Sequence, residues 1–189
     1  VDASRVRYRE WRIGALQLDA DVDAGSDQPS RLALHASNVG RAEPWFTDLQ
    51  LDAGGNRSAH QISLKLLGTS TETQTPARAQ LRIEGNYDKA VWTATVHEVS
   101  ASDGTRELKL QQPALAVVAR DHASLDPLCI VIATGKVCAQ GWWQRIGAWS
   151  AQAQVDALPL ATLLGEHEDA QRLSGTVSGR GRAAPTAGV

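Results

Sequence analysis

Leu49-Gln50-Leu51-Asp52-Ala53, then Gly54-Gly55-Asn56, then Ile62-Ser63-Leu64-Lys65-Leu66 is the stretch that decides the fold of this chain. Apolar and polar side chains alternate strictly on both sides of a cluster of turn formers. In an extended strand successive side chains point to opposite faces, so this pattern makes one face apolar and the other polar. The same texture occurs upstream at Leu16–Val22 and Leu32-Ala33-Leu34-His35-Ala36. Downstream it returns at Leu81-Arg82-Ile83, Trp92-Thr93-Ala94-Thr95-Val96 and Leu108-Lys109-Leu110, then over Trp149–Val155 and Leu173–Val177. Turn formers separate the runs at Gly25-Ser26-Asp27, Gly85-Asn86-Tyr87-Asp88, Ser102-Asp103-Gly104 and Thr134-Gly135-Lys136. Strands joined by short turns pair antiparallel, and the crossover helices of a parallel α/β fold are missing. The expectation is an all-β meander forming a single continuous segment over 1–189. Alternation alone leaves open whether the apolar faces close on each other or line a furrow. One stretch departs from it: Leu158-Pro159-Leu160-Ala161-Thr162-Leu163-Leu164 loses the alternation, has Pro near a first turn and Gly165 behind it, and predicts a short helical segment near 158–164.

Bulk composition narrows the function. Lys and Arg number 19 against 21 Asp and Glu, with no basic stripe interleaved with aromatics, which argues against nucleic acid as a partner. The large apolar residues are Leu, Ile and Val with six Trp, one Phe and no Met, a composition suited to an aliphatic sheet face. No run of 18 apolar residues is present to cross a bilayer as a helix. The abrupt start at Val1 and the loose Ala183-Ala184-Pro185 end read as boundaries of a segment from a longer protein.

The search for catalytic or metal-binding patterns returns little. Asp19-Ala20-Asp21-Val22-Asp23 hints at a calcium loop, but the sixth and twelfth positions hold Ala24 and Ser30 where Gly and Glu are needed. His35, His60, His97, His122 and His167 are scattered without ligand spacing. Ser174-Gly175-Thr176-Val177-Ser178-Gly179 lacks the spacing of a nucleophile elbow, and Gly179-Arg180-Gly181 lacks the third glycine of a dinucleotide loop. The reading is of a non-enzymatic chain with no catalytic residues, no metal and no cofactor.

Cys129 and Cys138 flank a hairpin. A symmetric turn between Ala133 and Thr134 puts them directly opposite, where antiparallel Cα atoms lie about 4.5–5.5 Å apart, within reach of a disulfide. A bulge at Gly135 would displace that register, and two buried free thiols are the other reading. A bridge implies an oxidising compartment such as the periplasm. Trp142-Trp143 and Trp149 follow: adjacent tryptophans in a strand face both ways, either closing a sheet edge or forming an apolar rim at a binding surface.

Around these residues a family resemblance emerges. Leu128-Cys129 through Cys138-Ala139-Gln140-Gly141-Trp142, then Trp149-Ser150-Ala151-Gln152-Ala153, the 158–164 run, and Leu173-Ser174-Gly175-Thr176-Val177-Ser178-Gly179 resemble the TamB family of Gram-negative envelope proteins. Leu110-Gln111-Gln112-Pro113-Ala114 suits it too, so the motifs span about 108–182. The resemblance implies a stretch from the middle of a long periplasmic body, curled into a taco-like groove with an apolar interior, behind an inner-membrane anchor. It also implies work with an Omp85-type (TamA-like) outer-membrane barrel, and outer-membrane biogenesis by phospholipid transport or by assembly of outer-membrane proteins. The groove residues would then be Leu32, Leu34, Leu49, Leu51, Ile62, Leu64, Leu66, Leu81, Ile83 and Val96, with phospholipid acyl chains as partners; ordinary core packing explains each of them equally. The competing role is a chaperone-like scaffold that binds outer-membrane protein strands at its edges.

Overall fold

The structure, a computed structural model, describes residues 1–23, 27–41, 44–69, 75–159 and 172–182. Among the described residues thirteen strands form one sheet. They are β1 (Asp2–Tyr8), β2 (Trp11–Asp21), β3 (Ser30–Gly40), β4 (Pro44–Gly55), β5 (His60–Thr69), β6 (Pro76–Asp88), β7 (Val91–Ser102), β8 (Glu107–Leu110), β9 (Ala114–Ala119), β10 (His122–Ile132), β11 (Gly135–Gln144), β12 (Ala148–Pro159) and β13 (Arg172–Arg182). Every pairing is antiparallel, and strands follow one another in chain order with one local exception.

That exception is a single broken strand. β8 and β9 lie end to end between β7 and β10, and each pairs with both neighbours. Pro113 stands at the break, where its missing N–H interrupts the ladder. The Gln111 N–H still donates to the Cys129 carbonyl at 2.8 Å, so the gap is short.

No second layer covers the sheet among the described residues. Ala36, Ala94, Ala114, Cys129 and Leu158 are the buried apolar residues, and no large side chain is fully enclosed. A closed sandwich would bury large residues from two facing sheets. This sheet has one apolar face, and no second sheet of described residues packs against it. Register shifts at Val39/Gly40, Phe46/Asp48, Arg82/Ile83, Leu125/Leu128 and Val155/Leu158 mark bulges, which bend and twist a sheet.

Two local expectations are corrected. Leu158 and Pro159 belong to the end of β12 and not to a helix; 160–164 lie outside the described residues. The alternation fails there because a bulge interrupts it: Ala157 takes φ +47°, its N–H donates to Ser174 Oγ at 2.8 Å, and pairing resumes at Leu158 opposite Leu173. Gly85-Asn86-Tyr87-Asp88 also runs straight on in β6, and the reversal falls at Lys89-Ala90.

Lys89 and Ala90 both adopt positive φ, +46° and +66°. A two-residue hairpin needs that geometry to match strand twist, and Asn-Gly supplies it without steric cost. Replacing Lys89→Asn together with Ala90→Gly is therefore expected to stabilise the chain by about 1–2 kcal/mol, read as a raised urea midpoint.

Cys129 and Cys138 are directly opposed in the β10–β11 register, with Cα atoms 4.0 Å apart and sulfurs joined. Closing so short a loop is worth about 2–3 kcal/mol by chain entropy. The double variant Cys129→Ser with Cys138→Ser should lose that amount in the same unfolding assay under oxidising conditions.

Candidate functional site

Directly opposed residues of an antiparallel pair share a face, so the register can be followed across the sheet from strand to strand. One rung runs Leu18, Leu34, Leu51, Leu64, Leu81 and Val99. A neighbouring rung runs Ala20, Leu32, Ala53, Ile62, Ile83, Val96 and Ala114. On the other side lie Leu16, Ala36, Leu49, Leu66, Ala79, Ala101, Leu108 and Ile132. All the residues singled out from the sequence therefore share one face: Leu32, Leu34, Leu49, Leu51, Ile62, Leu64, Leu66, Leu81, Ile83 and Val96. Each is half-buried, packed against its strand neighbours but uncovered above.

The opposite face is polar. Its central rung is Gln17, His35, Gln50, Lys65, Gln80, Ser100 and Lys109. His35 pairs with Asp48, and His97 Nε2 lies 3.2 Å from Glu84 Oε2. Cys129 and Cys138 point to this side too, because Leu128 and Ile130 flank Cys129 on the apolar one. Among the described residues no group of three His, Cys, Asp or Glu comes together as a metal site. No helix among them is long and apolar enough to cross a membrane.

Over β4 to β10 the apolar face forms a trough of about 430 Å³ lined by Phe46, Leu66, Ala79, Ala101, Leu108 and Ile132. Small residues on the middle strands, Ala77, Ala79 and Ala101, make its floor, and larger ones on the flanking strands make its walls. A second depression of about 390 Å³ lies toward the other strand ends, over Leu32, Ala53, Ile62 and Tyr87. There His60 and Trp92 close over Gly85: the rings are stacked 13° apart, and Trp92 Nε1–H donates to His60 Nε2 at 2.8 Å. A Cβ at Gly85 would meet His60 Nε2 at 2.7 Å, so the bridge requires glycine there.

The groove residues singled out from the sequence lie on this face but leave out Leu16, Leu18, Phe46, Leu108, Ile132 and the alanine floor. The alanines carry no signal of their own; only the register sets three small residues side by side.

A β7–β8 hairpin closes one end of the trough. Asp103 Oδ1 accepts from the Arg106 amide at 2.7 Å, the Thr105 amide at 3.0 Å and the Thr105 hydroxyl at 2.9 Å. Thr75 Oγ1 donates to the Asp103 carbonyl, tying this hairpin to the β5–β6 connection. The Arg106 amide first, then the Thr105 donors, hold the Asp103 carboxyl below its ordinary pKa of 3.8.

The fold and face together define a class: an open, single-layer antiparallel β protein with one aliphatic and one polar surface. The chain belongs to the TamB family, since the family model described as "TamB, N-terminal domain" matches residues 1–188. The match takes in the first hundred residues, well beyond the 108–182 motifs, and it names an N-terminal domain where those motifs by themselves point to the middle of the body. No solved structure matches the chain.

Because the folded pKa of Asp103 is depressed, its stabilisation of the hairpin is full above the ordinary carboxylate pKa of 3.8 and is lost as pH falls below that value and through the lowered folded one. Amide exchange at Thr105 and Arg106, followed by NMR and corrected for intrinsic rates, should show protection at about pH 6 that persists down to the ordinary carboxylate pKa of 3.8 and fades only below it. The Asp103→Asn variant should show weaker protection at pH 6 and no such acid dependence.

Proposed function

We propose that this chain is a periplasmic segment of a TamB-type envelope protein whose apolar face carries phospholipid acyl chains between the inner and outer membranes. The observation behind this reading is the aliphatic face with no second layer of described residues above it: Leu34, Leu51, Leu64 and Leu81 form one continuous rung and are all only partly buried. Keeping such a surface in water costs free energy, which a bound hydrocarbon chain would recover at about 0.8 kcal/mol per buried CH₂. Aliphatic walls contact a chain without distinguishing head groups, as a conduit requires, and the transfer needs no covalent step. The polar outer face suits an aqueous compartment, and the joined Cys129–Cys138 pair suits an oxidising one such as the periplasm. In the full-length protein, an inner-membrane anchor and an Omp85-type outer-membrane barrel would serve as the two ends of this path.

Photocrosslinking in cells tests the reading. A photoreactive residue in place of Leu64, on the apolar face, should yield a phospholipid adduct, while one in place of Lys65, on the polar face, should not. Leu64→Arg should leave the chain folded, at a cost of about 1–3 kcal/mol because the site is half-buried, yet abolish lipid capture at neighbouring Leu51. Adducts with outer-membrane proteins at Leu64 in place of lipid would move the assignment to the strand-binding scaffold.

A further inference from the structure

The β11–β12 hairpin carries an apolar surface that the trough does not account for. Half of the chain's six tryptophans sit here. Trp142 is 45 % exposed, Trp143 43 % and Trp149 41 %, and Ile146 at the turn is 73 % exposed. Trp143 and Trp149 are directly opposed on the apolar face, and Trp149 lies across Gly179 and Gly181 of β13. Trp142 lies on the opposite, polar face, where it opposes Ser150. The hairpin end is therefore apolar on both sides and at its point. Turn tips are ordinarily polar, and nothing in the hairpin's own fold requires isoleucine there.

The tip is also held rigid. Gly147 takes φ +87° and its N–H donates to the Gln144 carbonyl at 2.9 Å, while the Arg145 N–H donates to the Asp121 carbonyl at 2.7 Å in the neighbouring turn. Around it the charge is largely of one sign. Arg120, Arg145, Arg180 and Arg182 are exposed along the strand ends from β9 to β13, against Asp121, which pairs with His122 Nδ1 at 2.8 Å.

We propose that this hairpin tip is a membrane-contact element that seats in the headgroup layer of an anionic bilayer, with Trp142, Trp143 and Ile146 at the acyl boundary and the arginines against lipid phosphates. Tryptophan suits that layer because its ring is apolar and its N–H finds polar partners there. Surface binding of this kind combines buried apolar area with attraction to anionic lipid, and the tip presents both. The proposal is independent of acyl-chain carriage, since Trp142 and Ile146 lie outside the trough.

Flotation of the chain with vesicles of phosphatidylethanolamine and phosphatidylglycerol tests it, with phosphatidylcholine vesicles as the uncharged comparison. The wild type should float with the anionic vesicles and bind the uncharged ones several-fold more weakly. Salt at about 1 M should narrow that difference, because screening then acts within about 3 Å. Trp142→Ser with Ile146→Asp should lower binding at least about tenfold, and Arg145→Glu several-fold. All these sites are exposed, so circular dichroism should be unchanged. Leu64→Arg, on the aliphatic rung between Leu51 and Leu81 and away from the tip, should float like wild type. The proposal is overturned if the tip variants float undiminished, if Leu64→Arg alone abolishes flotation, or if sedimentation shows the tip buried in a dimer that Ile146→Asp dissociates.

Discussion

Everything in this molecule depends on register between consecutive strands. A pleated strand alternates its faces with a period of two, so a slip of one residue would carry every leucine of that strand to the polar side. The hydrogen-bond ladders hold the alternation in phase from Leu18 across to Val99, and the aliphatic face exists only because no step is lost. Where a strand does gain a residue, as at His97, the bulge absorbs it and the faces stay aligned on both sides.

Such a sheet is stabilised differently from a packed domain. Its apolar side chains bury area against neighbours along each rung, with no facing layer. Each strand touches the next in line, so the energetics resemble those of a repeat array, a sum of local interface terms. Covalent and local devices then matter more: the Cys129–Cys138 bond joins neighbouring strands, the Asp103 hairpin is tied to the β5–β6 connection, and the His60–Trp92 bridge spans from β5 to β7 across β6.

Much of this was legible in the sequence. The runs at 49–53 and 62–66 disclose their strands and their faces, because a half-buried strand prints its alternation directly. The turn between Ala133 and Thr134 sets the cysteines opposite each other by counting alone. What stayed hidden depends on backbone conformation or on neighbours. Ala157 enters positive φ and breaks the alternation, so the following residues lose strand texture while remaining strand. Lys89-Ala90 reverses the chain without turn-forming residues. The trough floor is three unremarked alanines on two strands, made adjacent only by pairing.

The position of the disulfide has a mechanical consequence. A pull between the two ends of the sheet acts across the strand pairs in series, like the teeth of a zip, and hydrogen-bonded seams open in succession. The β10–β11 seam cannot open while its covalent staple holds, so the chain must yield on one side of it or the other. The staple also projects from the polar side, so this reinforcement takes no room on the aliphatic face.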